Sequence, residues 1–475
     1  MRARLSGWSA LSAVPAVAAV LLAGCAATVT PLPKVSPALT TDFTAAKASA
    51  SEPVAEFWRG FADSDLDALV AEALAANPDL RIAAANLVSS RALSDAAGAG
   101  RLPQVGVDAS AGRSRALDTQ GMARTGNFFS TGLQASWELD LFGRVGAEAA
   151  AAEAGVRSSE AGLRAAQVSV AADVARSYFE LRAAQELLRV AAASLDTQRA
   201  ALKLVQARLD VGRGTALDTE RANALVLSTQ ANVPALQAQV QRAGFRLAVL
   251  TGKLPSALGT RLDAPKPLPS LAPTALSAIG TPESLLRRRP DLAAAEAQLQ
   301  GAAARIGIAR AQLFPTVRLA GALGLNGSRI STLTDSNAFF WNLGASMVWS
   351  LFDGGALRAR LAAASANGEA AVASYDKAVL AALEDTEAAL VSFTRGQQQV
   401  EQLFGAARSS AKAAELARAR FGAGASDFLA VLDAERELLA ARERLVRAQA
   451  GAADALVGVY RALAGGWGDV PTSPR

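Results

Sequence analysis

The sequence predicts a mixed α and β membrane protein, with four β-strands and two sets of very long helices built from one pattern used twice. Three observations lead there. First, landmarks recur at a constant offset of 212 positions (290 − 78). Pro78-Asp79-Leu80 returns as Pro290-Asp291-Leu292, Leu87 as Leu299, Pro103 as Pro315, Gly132 as Gly344, and Trp137 as Trp349. Arg208 returns as Arg420, Gly212 as Gly424 and Leu217 as Leu429. Chance matches would scatter in offset, so the chain holds two structural repeats. Second, four stretches alternate apolar and polar residues over roughly ten positions. Third, two Ala-rich, Pro-free stretches run for about 67 residues, or roughly 100 Å as a single helix.

Each repeat reads helix, strand, strand, long helix, tight turn, helix. The first helix covers Leu66 to Ala99, broken early by Pro78. Its counterpart covers Glu283 to about Leu313. In the strand from Phe129 to Leu139, one face carries Phe129, Leu133, Ala135, Trp137 and Leu139, and the other Ser130, Gly132, Gln134, Ser136 and Glu138. The strand from Phe339 to Leu351 alternates likewise, with Trp341, Leu343, Met347 and Trp349 against Asn342, Gly344, Ser346 and Ser350. The strand from Val105 follows the same rule, and the one from Val317 follows it more weakly. One apolar and one polar face is the pattern of a lipid-facing barrel strand, and Phe128, Phe129, Trp137, Phe339, Phe340, Trp341 and Trp349 near the ends suit interfacial girdles. A soluble sheet with one buried face is the competing reading.

The long helices are expected from about Phe142 to Leu209 and from Leu357 to Phe421. After Gly212 and Gly424 the chain turns back into helices that reach about Leu250 and Leu463. The resulting plan is a signal peptide at 1–24, a tether at 25–64, a first repeat at 65–252, a linker at 253–282, a second repeat at 283–464 and a tail at 465–475. Four strands cannot close a barrel in lipid, because an open edge leaves backbone groups with no water to satisfy them. The chain must therefore oligomerise. Two copies would supply eight strands and three copies twelve, and strand count does not choose between them.

The N-terminus reads as a targeting segment. Arg2 and Arg4 precede an apolar run from Trp8 to Ala23, and Leu22-Ala23-Gly24-Cys25 has the form of a lipobox. Cys25, the only cysteine, is the expected lipidation site. Ala26 and Ala27 follow it; the absence of an Asp there favours the outer membrane. Pro31, Pro33 and Pro37 read as an extended tether. Removing residues 1–24 takes away Arg2 and Arg4 and no acid, so the formal charge drops by two from +5 to +3. That balance has no basic stripe with interleaved aromatics, so nucleic-acid binding is not expected. With no His and one Cys, imidazole-based metal sites and Ser-His or Cys-His nucleophiles are excluded, and no cofactor or enzymatic activity is expected. The acids and bases on the helices, such as Glu435, Glu437, Arg442 and Arg444, read as solvent-facing salt-bridging pairs.

Several motifs carry a more specific resemblance. Phe57-Trp58-Arg59-Gly60-Phe61 with Asn77-Pro78-Asp79-Leu80 is one, and Trp137-Glu138-Leu139-Asp140-Leu141-Phe142-Gly143-Arg144 is another. Others are Arg288-Arg289-Pro290-Asp291-Leu292, Ala309-Arg310-Ala311-Gln312-Leu313-Phe314-Pro315 and the run from Leu429 to Arg436. Together they resemble outer-membrane factors of tripartite efflux pumps, the TolC/OprM/NodT family, across essentially the whole mature chain. The lipobox resembles the OprM-like branch. The resemblance implies a homotrimer with a 12-stranded outer-membrane β-barrel, a long periplasmic α-helical barrel, and an equatorial region that includes the linker. It implies a passive exit duct joined through a periplasmic adaptor to an inner-membrane pump.

The resemblance also implies site roles. The helical hairpin tips would dock the adaptor, through Arg208, Val211, Gly212 and Thr215 at one and Arg420, Gly424 and Ser426 at the other. Leu429, Asp433 and Arg436, spaced by four and three and so on one helix face, would form the periplasmic gate. Ala430 stands where a second acid ring would need a carboxylate, so a double acid ring is not expected. The competing functions are an outer-membrane duct for protein secretion and a structural lipoprotein that does not conduct.

Overall fold

The structure, a computed structural model, describes residue 43 and residues 56–117, 121–258, 261–262, 264–268 and 281–463. The expected signal segment, Cys25, most of the tether, part of the linker and the tail lie outside the described residues. A short 3-10 helix at Phe57–Phe61 precedes α1 (Ser64–Ala76) and α2 (Pro78–Ala99). Strands β1 (Gln104–Leu117) and β2 (Ala123–Leu139) lead into α3 (Arg144–Asp210) and α4 (Ala216–Leu250). The second round is α5 (Pro282–Arg288), α6 (Pro290–Ala311), β3 (Thr316–Gly327), β4 (Phe339–Val348), α7 (Ala356–Gly422) and α8 (Phe428–Ala462). Both bounds of α3 shift by 212 to give those of α7 (356 − 144, 422 − 210), and the same shift carries α4 onto α8.

The chain divides into two compact units, one built on residues 87–159 and 294–376, the other on 36–86, 160–293 and 377–475. The first holds a four-stranded antiparallel sheet in the order β1-β2-β3-β4, with β1 and β4 as edges. Its register lines up one apolar row across all four strands: Val107 opposite Leu133, Leu133 opposite Leu323, and Leu323 opposite Trp341. A water-soluble antiparallel sheet buries such a face. Here Val107 is 75%, Trp341 72% and Leu343 77% exposed in the single chain. Among the described residues no helix is long and apolar enough to cross a membrane.

Two strand expectations are corrected. Strand β4 ends at Val348, so Trp349 and Leu351 lie beyond it. Its partner runs out there: Val348 faces Thr316, and the preceding Pro315 has no N–H for the ladder. Phe128 and Phe340 do not join the apolar face. By alternation they lie on the polar one, where Phe128 faces Gly112 and Phe340 faces Gly324. A Cβ at Gly112 would sit 2.7 Å from the Phe128 ring, so each aromatic covers the bare backbone of its glycine partner.

The second unit is helical. Leu66, Leu69, Val70 and Ala73 line one stripe of α1 and pack on Tyr178, Phe179 and Leu181 of α3, Leu247 and Ala248 of α4, and Val457 of α8. Each large side chain buried this way contributes about 1.5–3 kcal/mol. The Arg182 guanidinium, 1% exposed, donates to Asp65 (3.0 Å), Gln185 (2.8 Å) and the Ala264 carbonyl (2.8 Å). Beside it the Tyr178 hydroxyl donates to Asp63 at 2.5 Å, and Lys266 pairs with Asp65 at 2.5 Å.

Candidate functional site

The two helical turns share one construction. Gly212 closes α3 at φ 70° and Gly424 closes α7 at φ 73°, the left-handed region where a Cβ is penalised. The Arg213 N–H donates to the Arg208 carbonyl (2.7 Å) and the Ala425 N–H to the Arg420 carbonyl (2.8 Å), which satisfies equivalent carbonyls at the two helix ends. Thr215 then caps α4 through the Asp218 N–H (3.2 Å), and Asp427 caps α8 through the Ala430 N–H (3.2 Å). Val211 is exposed, as are Gly212, Arg420 and Gly424.

Arg208 differs from the other tip residues. Its guanidinium lies 4.0 Å above the Phe421 ring and donates to the Phe421 carbonyl at 3.0 Å, so it ties the end of α3 to the end of α7. Phe421 and Phe428 stand 5.4 Å apart within a small core that also holds Val205, Leu225, Val431 and Leu432. Ser426 is partly buried, and among the described residues its hydroxyl has no hydrogen-bond partner.

On α8, Phe428, Val431, Leu432, Glu435 and Leu438 form the buried face. Leu429, Asp433 and Arg436 share the opposite face and are exposed in the single chain. The Asp433 carboxylate and Arg436 guanidinium stand 4.0 Å apart, a loose pair open to solvent. Glu435 corrects the expectation of a solvent-facing acid. It is 4% exposed and accepts from Arg418 of α7 at 2.8 Å. Its spacing of seven from Phe428 and three from Leu438 carried that signal. Glu437 and Arg444 do form an exposed pair, at 3.3 Å.

The same unit contains an open groove of about 1170 Å³ walled by both signs of charge, including Arg176, Arg289, Asp291, Asp385, Arg447 and Arg461. Among the described residues no cluster of His, Cys, Asp and Glu could hold a metal ion.

Against known proteins, residues 69–253 and 281–465 match the family model described as outer membrane efflux protein. The chain belongs to the outer membrane efflux protein family. The two matched segments fall one on each repeat. The pyoverdine export outer membrane protein OpmQ of Pseudomonas aeruginosa is 34% identical over 460 residues, covering 95% of this chain and 96% of the relative. The cation efflux system protein CusC of Escherichia coli is 31% identical and covers 86% and 88% respectively. Among solved structures, the outer-membrane channel OprN superposes with a TM-score of 0.87 at 37% identity, covering 92% of this chain and 99% of that one. The open state of the Neisseria gonorrhoeae MtrE outer-membrane channel gives 0.80 at 30% identity, covering 92% and 97%. This outer membrane efflux protein is therefore an efflux channel of a Gram-negative outer membrane, and its family is one of channels, not enzymes.

Proposed function

We propose that this efflux protein is the passive exit duct of a tripartite pump, working as a homotrimer with a periplasmic adaptor and an inner-membrane pump. The observation that carries the reading is the four-stranded sheet with two unpaired edges and an exposed apolar face. In hydrocarbon those edges require partners, and three copies would close a 12-stranded barrel, a size well within the range of outer-membrane barrels. The long helices would continue the duct through the periplasm. No bond chemistry is needed: the pump supplies the energy and the duct supplies a water-filled path.

Within this reading the exposed tip residues meet the adaptor. Val211, Gly212, Thr215, Arg420 and Gly424 would offer the exposed surface for it with the half-buried Ser426 beside them, while Arg208 would also hold the two turns together. Leu429, Asp433 and Arg436 form the gate, since their face of α8 is exposed among the described residues. Cys25 carries the lipid anchor, supplementary to the barrel. Native mass spectrometry in detergent is expected to give three acylated chains lacking residues 1–24, and planar-bilayer recordings to give discrete conductance. A stable monomer without conductance would overturn the duct, and an unmodified N-terminus would overturn the anchor alone.

A further inference from the structure

The apolar face of β1 does not run the length of the strand. Val105, Val107, Ala109 and Ala111 share that face, and the next two residues on it are Arg113 and Arg115. Their cross-strand partners on β2 change at the same level: Ala111 faces Phe129, but Arg113 faces Asn127 and Arg115 faces Thr125. Phe129 in turn faces Gly327 of β3, and Phe339 of β4 faces Leu325. The outward face thus reads apolar band, then aromatics at Phe339 and, one step on, Phe129, then two guanidiniums, with Leu117 closing the strand beside the turn. Successive residues on one face of a strand are about 7 Å apart, so the two arginines rise directly above the aromatic level.

This end of the hairpin is the turn end, remote from Gln104 and Leu139, where the strands join the helices. In an outer-membrane channel with periplasmic helices, the turn end faces the cell exterior. Both side chains are exposed, and among the described residues neither meets a carboxylate. A guanidinium just beyond an aromatic girdle sits at headgroup depth, where its fork matches phosphate oxygens.

We infer that Arg113 and Arg115 form a clamp for the phosphates of the phosphorylated glycolipid in the outer leaflet. The inference rests on the channel reading, which turns this face toward lipid. Charge complementarity and the register of the apolar band select the occupant: the clamp lies where the hydrocarbon stops.

The test is native mass spectrometry of the full-length protein in neutral detergent, with added diphosphoryl lipid A as the probe. Wild-type protein is expected to retain lipid A adducts. The Arg113→Gln/Arg115→Gln double variant is expected to bind about 25-fold more weakly, roughly fivefold per guanidinium. Arg113→Lys/Arg115→Lys, which keeps both charges but loses the forks, is expected to bind between wild type and the Gln variant. Equal binding by wild type and the Gln variant, or equal wild-type binding of dephosphorylated lipid A, would overturn the clamp. Conductance in a neutral planar bilayer is read on the same preparations. Normal conductance with unchanged lipid A binding sinks this inference alone; wild-type protein that does not conduct counts against the channel.

Discussion

Asn77 and Arg289 occupy equivalent positions in the two repeats and tie off equivalent helix ends with different chemistry. The Asn77 side-chain amide donates to the Leu250 carbonyl at the end of α4 (2.9 Å), and the Arg289 guanidinium donates to the Ala462 carbonyl at the end of α8 (3.1 Å). Asn77 also caps α2, accepting from the Asp79 N–H at 2.8 Å. Arg289 instead pairs with Asp291 (2.7 Å) and reaches the Ala382 carbonyl of α7 (3.2 Å). Asn77→Ala is expected to cost about 1–2 kcal/mol, the loss of a cap and a buried amide. Arg289→Ala is expected to cost more, about 2–3 kcal/mol, because it strips two buried carbonyls of their donor and the half-exposed Asp291 of its partner. Melting curves of the two variants in one detergent give the comparison.

Acid is expected to weaken the helical unit. Burial raises the Asp63 pKa, but the Tyr178 hydroxyl, the Asp65 N–H and Lys266 outweigh it and hold the group below its ordinary 3.8. Burial also raises Asp291, and Arg289 outweighs it there. For a carboxylate lowered on folding, the stabilisation is complete above the unfolded value and is lost as pH falls through the folded one. Melting temperature should therefore be flat near neutrality and drop below about pH 4. Asp63→Asn/Asp291→Asn should start lower and fall less steeply over that interval.

Gly324 is expected to tolerate no side chain. A Cβ there would lie 2.4 Å from the Thr131 carbonyl and 2.7 Å from the Gly132 Cα, both backbone atoms of β2. Gly344, on the same polar face of the edge strand β4, has open space around its Cβ position in the single chain. Gly324→Ala should disrupt the β2–β3 pairing and cut the yield of assembled channel severalfold, while Gly344→Ala assembles normally. Heat-modifiable migration on gels would register the difference.

Opening the proposed gate should not disturb assembly. Replacing Asp433 and Arg436 together with Ala is expected to raise single-channel conductance and antibiotic leak at unchanged trimer yield. An exposed pair at 4.0 Å contributes only a few tenths of a kcal/mol to folding, so a conductance change would not report unfolding. Unchanged conductance would move the constriction away from this pair and make Leu429 the next residue to vary.

At the helical turns, Gly212→Lys and Gly424→Lys each place a bulky cation in a left-handed backbone, at a cost of roughly 1 kcal/mol. That is small for helices of this length. Efflux in a susceptibility assay is expected to be abolished while trimer yield holds; retained efflux in both variants with normal assembly would argue against adaptor docking at the tips.

The sequence by itself determined the repeat, the lengths of the long helices, the turns at Gly212 and Gly424, and the alternation that marks β1 to β4. These are local signals: period, glycine geometry and proline placement act within a few residues. Asn77 and Leu250 are 173 positions apart, and no periodicity reports their contact. Arg208 reads in the sequence as one tip residue among several, and only the packed chain puts the Phe421 ring beneath its guanidinium. Glu435 looked solvated because acids usually are, yet its place on the apolar face of α8 buries it against Arg418. Phe128 and Phe340 were legible as aromatics but not as lids, because a lid needs the cross-strand register that puts a glycine beneath it. Which polar groups meet, and which faces stay open, is decided only when distant segments pack, since desolvation and pairing are properties of the packed pair and not of either residue.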